Sequence, residues 1–374
     1  MSDFLVARRT LLGAGLAAMG TAGSAGPGSA PLTMMLLGQS LIQEDLCACP
    51  WPGRAAIERR LRSVDTVFTD LETAVRGPGA GPPTRNGEVF HAAGAEAIRC
   101  LKSIGVSLAA TANNHAWDLG AGGIISGVRT LDALGIAHAG SGADLEAASR
   151  PGWQRTTNGV VALVAGATGA VRTGGAATAT RAGVNELKMG SDGLDPTDVA
   201  RMLASIAAAR QARAVVIACL HNHHWQPNPA DTPPWQRDFA RQCVDAGAAV
   251  FVSHGPPLLQ GVELYRGAAL FHGLGSFIFQ TRKTGNAYSV ANWQSIMVEA
   301  RFAHGRFTSA MLYPTTLDSQ RRSGDVFTNG VPTIVQGKEG RAILERFSSL
   351  SKLLGVNIKL SRDVGFLGVG RSTS

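Results

Sequence analysis

Thr111-Ala-Asn-Asn-His-Ala-Trp-Asp-Leu-Gly120 is the stretch whose reading decides the fold. The apolar run 106–110 leads into it and is bounded by Gly105. Short, partly alternating and glycine-bounded, it reads as a buried strand. A Gly-rich segment follows and opens a helix expected over 122–134. Asn113, Asn114, His115 and Asp118 are therefore placed on the loop leaving a strand's C-terminal end. In open α/β sheets that edge is where ligands bind. Two amides, an imidazole and a carboxylate within six residues can hold a metal, a phosphate or one another. A structural loop has the same composition, since Asn tolerates left-handed backbone and Asp118 can cap the next helix.

The pattern on either side is an alternation of strands and helices. Upstream, a strand over 32–37 ends at Gly38-Gln39-Ser40. A helix over 53–62 leads to a strand over 64–69, which ends in Asp70-Leu-Glu-Thr73. Residues 76–87 are rich in Gly and Pro and read as an irregular loop. Helical spacing over 92–104 puts Ile98, Leu101 and Ile104 on one stripe. Downstream, strands are expected over 136–139 and 159–167, and a long surface or lid loop over 168–193. A helix over 196–213, capped by Asp195, precedes a buried strand over 214–220 that ends in His221-Asn-His-His-Trp225. A helix over 234–246 leads to a strand over 249–252 and then Ser253-His-Gly-Pro-Pro257. Runs 262–265 and 268–272 form a hairpin turning at Arg266-Gly267. Strands over 294–300 and 307–313 and an amphipathic helix over 338–354 complete the chain. This order indicates a layered α/β protein. With no internal repeat and no linker, residues 31–374 read as one domain.

The chain has 374 residues, 45% hydrophobic and 17% charged, which suits a globular protein with a sizeable core. Its formal charge of +8, mostly from Arg, fits an anionic substrate or cell surface. No basic run carries interleaved aromatics, which argues against nucleic acid. Residues 1–30 read as an export signal. Arg8-Arg9-Thr-Leu-Leu-Gly13 precedes an Ala/Gly/Leu run and then a small-residue stretch, the order of a twin-arginine leader cleaved within 22–30. The apolar run is too short to span a bilayer comfortably, and no later stretch is long enough. Of five cysteines, Cys100, Cys219 and Cys243 sit in apolar runs and read as small core residues. Cys47 and Cys49 lie in a loop, too close to bridge each other, and read as unpaired or bridged elsewhere.

Five strand ends carry polar groups of one kind: Gln39; Asp70 and Glu72; Asn113 to Asp118; His221 and His223; and His254. Strands sharing a loop edge would bring these together. Side chains two apart on an extended segment face one way, so His221 and His223 can converge while His224 points elsewhere. Imidazole, carboxylate and amide oxygen suit a divalent zinc, manganese or iron ion. Such an ion polarises an anionic substrate or activates water. Bland readings exist for each: His254 could bond a turn backbone, and Glu72 could pair with a surface arginine. His91, His138, His272 and His304 stand alone and read as structural.

Asp70-Leu-Glu72, Ala112-Asn-Asn-His-Ala-Trp-Asp-Leu-Gly120, Leu220-His221, and Val252-Ser-His-Gly-Pro256 through Gln260 to Gly273-Leu-Gly-Ser-Phe277 resemble the CapA-type poly-gamma-glutamate capsule biosynthesis family. That family is related to the calcineurin-like metallophosphoesterases. The resemblance runs in order from about Leu32 to Phe279. It implies a layered α/β/β/α sandwich with a metal-type site at the strand ends. By resemblance Glu72, Asn114, His221 and His254 are metal-side residues, to which alternation adds His223. His115 falls where the related phosphoesterases place a general acid, with Asp118 orienting it. Three positions depart from the family pattern. Gln39 replaces the Asp of the first motif, Asp70-Leu-Glu72 replaces Asn-Leu-Glu, and Pro257 replaces a second histidine. One ion is therefore expected rather than two. The resulting expectation is an exported, periplasmic or surface-associated protein that acts on poly-gamma-glutamate or a related anionic envelope polymer. Its partners would be that polymer and the capsule synthesis and export proteins. The alternatives are a non-catalytic binding or assembly component and, more remotely, a secreted phosphatase of small esters.

Overall fold

Strands β1 (Leu32–Leu41), β2 (Thr66–Leu71), β3 (Leu108–Ala110) and β4 (Ala137–Ala139) run parallel, side by side in that order. They belong to the first of two large sheets in a computed structural model. It describes residues 30–48, 50–85, 90–225, 227–281, 288–317 and 330–369. The expected export signal, apart from Ala30, and Cys49 lie outside the described residues. The second sheet contains β5 (Gly152–Thr156), β6 (Gly159–Thr168), β7 (Val215–Asn222), β8 (Val250–His254), β9 (Val262–Tyr265) and β10 (Ala268–Phe271). Its order is β9-β10-β8-β7-β6-β5. β11 (Ser276–Phe279) returns to the first sheet and pairs with the end of β1 in parallel. β12 (Gln294–Ala303) and β13 (Arg306–Thr316) extend that sheet antiparallel, followed by β14 (Lys359–Ser361) and β15 (Val364–Gly368).

Period-two alternation explains the layering. Met34, Leu36 and Phe68 meet Leu163, Ile217, Val250 and Val252 in the core between the sheets. The intervening Met35, Leu37 and Val67 pack outward on α1 (Arg54–Leu61) and α2 (Ala95–Ile104), through Ile57, Leu61, Ile98 and Leu101. On the other side, Val164, Val216, Ala218 and Leu220 pack on α5 (Pro196–Gln211) and α6 (Pro234–Asp245), through Met202, Ile206, Phe239 and Cys243. Helices α3 (Gly120–Ala133), α4 (Leu145–Ser149) and α7 (Gly337–Leu353) complete the set, with Ile343, Leu344 and Phe347 of α7 joining the inter-sheet core. The molecule is the expected α/β/β/α sandwich. Strands covered on both faces have no polar side, which is why they appear in the sequence as continuous apolar runs.

Element ends differ where polar residues continue a strand. β1 runs to Leu41, so Gln39 lies inside the sheet and not on a loop, in register with Asp70 and Ser276. β7 likewise continues through His221 to Asn222, and His254 is the last residue of β8. Asp118 does not cap α3, which begins two residues later at Gly120. Asp195 caps α5 as expected, accepting from the N–H groups of Thr197 and Asp198 at 2.8 and 3.1 Å. The strands β5, β11, β14 and β15 are short or edge pieces without a clear periodic pattern.

Cys219 and Cys243 are free and buried, as expected. Cys100 is not merely a core residue: it forms a disulfide with Cys47 across a sequence separation of 53. The bridge ties the segment after β1 to α2. Closing a loop of that length removes chain entropy worth roughly 4 kcal/mol from the unfolded state. We expect Cys100→Ser to lower unfolding free energy by about 2–4 kcal/mol in urea titrations. The loss should be matched by adding reductant to the wild type; a change below about 1 kcal/mol would contradict the assignment.

Candidate functional site

The two parallel strand sets end at a common edge, and their polar ends meet there. Asp70 on β2 faces His221 on β7: its Oδ2 accepts from Nδ1 at 2.7 Å. That bond crosses from one sheet to the other. It leaves His221 Nε2 2.9 Å from Asn114 Oδ1 and 3.5 Å from Glu72 Oε1. Alternation along the extended chain puts Glu72 on the same side as Asp70, and His223 on the same side as His221. The His221 and His223 rings stack with centroids 5.1 Å apart, and Trp225 backs His223 at 4.2 Å.

A second group adjoins the first. His115 Nδ1 donates to Asp118 Oδ2 at 2.7 Å, and its Nε2 lies 3.9 Å from Glu72 Oε1. Asp118 Oδ1 is 2.5 Å from Arg85 Nε, and Oδ2 also accepts the His91 N–H. Arg85 in turn donates to the Asn114 backbone carbonyl. The turn itself is set by Asn113. Its Oδ1 accepts the N–H groups of His115 and Ala116, while its Nδ2 donates to Asp70 and to the Leu71 carbonyl. These bonds answer the structural reading of the loop: Asn113 is the scaffold, and Asn114, His115 and Asp118 point into the site.

The electrostatics are those of a buried pocket rich in carboxyl and imidazole groups. Burial pushes the Glu72 carboxyl well up, Asp70 adds to the rise, and Arg85 opposes it. Asp118 is pushed up to about 6 by burial against the pull of Arg85. Burial, then Arg85 and His221, push His115 well down, so its imidazole is neutral at pH 7. With Nδ1–H given to Asp118, it presents a lone pair at Nε2.

Glu72, His221 and His223 offer donor atoms within 4.8 Å of one another. Buried Glu72 Oε2 and His223 Nε2 have no hydrogen-bond partner. The chemistry matches a divalent cation: His221 Nε2, Asn114 Oδ1 and Glu72 Oε1 are lone-pair groups facing one another, which a cation between them would reconcile. Asp70 fits the carboxylate that fixes the tautomer of a ligating histidine. His254 stands beside His221 in register, buried, with both ring nitrogens unpartnered and its ring 6.1 Å from Phe68. Burial pushes it down to about 4. It is outside the group whose donors converge on one point. Gln39 is committed elsewhere: its Nε2 donates to the Gly255 carbonyl at 3.2 Å, and its Oε1 accepts the Gly255 N–H at 2.7 Å.

Sequence reasoning missed Arg85, which sits in the loop read as irregular and belongs to no motif. It also set His91 aside, although the His91 ring lies 4.4 Å from His115. Asn222, between the two site histidines, carried a signal that could have been read: an Asx turn. Its Oδ1 accepts the His224 N–H at 2.6 Å, and its Nδ2 donates to Gln236 on α6 at 2.7 Å.

The sequence has recognisable relatives among known proteins. A 433-residue alignment with the Sinorhizobium fredii protein y4sH shows 25% identity and covers 90% of this chain and 92% of the relative. The PGA biosynthesis protein CapA of Bacillus subtilis is 29% identical over 184 residues, 49% of this chain and 45% of that protein. The backbone is also similar to Haemophilus influenzae NAD nucleotidase, with TM-score 0.40, 10% identity and coverage of 86% of this chain and 63% of that one. At that level it adds nothing to the fold described above. The family model described as bacterial capsule synthesis protein PGA_cap matches residues 34–281, which include every site residue named above. The chain therefore belongs to the bacterial capsule synthesis protein PGA_cap family.

Proposed function

We propose that this is an exported, metal-dependent hydrolase acting on poly-gamma-glutamate or a closely related anionic polymer of the cell envelope. The observation that carries the reading is the convergence of Glu72, His221 and His223, with Asn114 alongside, in one buried volume. One divalent zinc, manganese or iron ion held there would supply Lewis acidity to the scissile carbonyl and to an attacking water. Asp70 holds His221 in the tautomer that presents Nε2. His115 Nε2 accepts the proton of the attacking water. The imidazolium so formed is stabilised by Asp118 and returns the proton to the leaving nitrogen. Arg85 keeps Asp118 ionised and anchors the Asn114 backbone. Export through the twin-arginine route agrees with the Cys47–Cys100 disulfide, since such bridges persist in oxidising compartments.

The test is to incubate the purified protein with gamma-linked polyglutamate and Zn²⁺, Mn²⁺ or Fe²⁺, and to measure chain length and new amino termini. Wild type should shorten the polymer. His115→Ala should lose about 10²–10⁴-fold in rate while still taking up metal. A second reading, a polymer-binding assembly component without turnover, is favoured by one observation: the Gln39 amide is spent on the Gly255 backbone. Polymer retention with no new amino termini under any of the three metals would overturn hydrolysis in favour of that reading.

A further inference from the structure

At the opposite end of the sandwich, four turns converge on a cavity of about 190 Å³, the α6–β8 turn contributing Asp245 and Gly247. Arg210 comes from the last turn of α5, Arg266 from the β9–β10 turn and Arg306 from the β12–β13 turn. Arg266 is satisfied by Asp245 at 2.7 Å. Arg210 and Arg306 have no carboxylate partner among the described residues. The Arg210 side chain is nevertheless held in place. A Cβ on Gly247 would stand 2.7 Å from Arg210 Cγ, and one on Gly305 2.9 Å from Arg210 Nη1. Both glycines have positive φ, +121° and +74°. Two side-chain-free turns thus cradle a long cationic arm along its length, which lowers the entropy lost when it binds.

A lone arginine near a helix C-terminus has a bland role, complementing the helix dipole. That role needs neither a cavity nor Arg306. The one carboxylate lining the recess, Asp245, is taken by Arg266, which leaves two guanidinium groups free to form a site for carboxylate oxygens. β7 starts beside this notch and carries His221 near its other end, so notch and candidate site are roughly 20 Å apart. A polymer of repeated carboxylates can occupy both. A small anion can occupy only one.

We propose that the notch formed by Arg210, Arg306 and Arg266 is a second anion site that grips carboxylates of a polyanionic chain remote from the reacting bond. This rests on the polymer reading above and extends it. Holding a distant segment makes binding at the first site effectively intramolecular and raises avidity with chain length.

The test uses the full chain and measures affinity for long gamma-linked polyglutamate and for a short oligomer. Compared with wild type, Arg210→Glu/Arg306→Glu should weaken long-chain binding by about tenfold or more and leave the short oligomer unchanged. Metal uptake should be unaffected. Arg210→Lys/Arg306→Lys should restore most of the affinity, and Arg306→Ser alone, at an exposed turn, guards against a folding defect. Long-chain affinity within about twofold of wild type in the Glu variant overturns the notch while leaving the polymer reading in place. No polymer binding by wild type overturns both.

Discussion

His221→Ala is expected to abolish tight divalent metal uptake and to destabilise the metal-free protein. His221 joins the two sheets at the site, touching Asp70, Asn114 and Glu72 across from its own strand. Changes to residues that merely support a metal ligand cost about 10–100-fold in affinity, so removing the ligand should exceed that range. The destabilisation has a separate origin. Asp70 is fully buried, and alanine leaves its Oδ2 without the imidazole. Leaving a buried carboxylate oxygen without its hydrogen-bond donor costs about 1–3 kcal/mol or more; Asn113, which still donates to Oδ1, keeps the expected loss near ~3 kcal/mol. Calorimetric titration with Mn²⁺ and urea unfolding in chelator measure the two effects. Affinity within about tenfold of wild type would sink the assignment of His221 as a ligand.

Gly255→Ala is the second large effect, although it removes no chemical group. Gly255 has φ +123°, a conformation side chains rarely adopt. An added Cβ would lie 1.9 Å from the Asn222 carbonyl oxygen and 2.8 Å from its carbon, both backbone atoms. Relief requires the ends of β7 and β8 to part. That displaces His221 and His223 and loosens the two bonds that clasp Gln39 to Gly255. We expect a loss of about 3 kcal/mol or more, with weaker metal uptake. Gly267→Ala is the control: φ is +81°, but nothing stands within 4 Å, so strain alone should cost roughly 1 kcal/mol. Equal unfolding midpoints for the two variants would contradict the steric account.

Much of this site was legible because apolar strands followed by His, Glu or Asn are a periodic signal. Two-residue alternation correctly paired His221 with His223, and the Arg266-Gly267 turn lies where the hairpin pattern puts it. The errors share a cause. Polar residues at a strand's end look like loop, so Gln39 and His221 were placed just outside the sheet that contains them. Gln39 reads from the sequence as one more polar group at a strand end, whereas its amide mimics a backbone partner for Gly255, a bond between residues more than two hundred positions apart. Arg85 and the Cys47–Cys100 bridge are also long-range pairings, with no local pattern to announce them. Asp70 reads from the sequence as a strand-end carboxylate like Glu72; its position behind His221 depends on sheet-to-sheet packing that periodicity does not encode.

The most direct test is a crystal structure of the full chain grown with Mn²⁺, with data collected to locate manganese by anomalous scattering. The account predicts one peak, within bonding distance of Glu72, Asn114, His221 and His223. A peak elsewhere, or none there at saturating Mn²⁺, would contradict it.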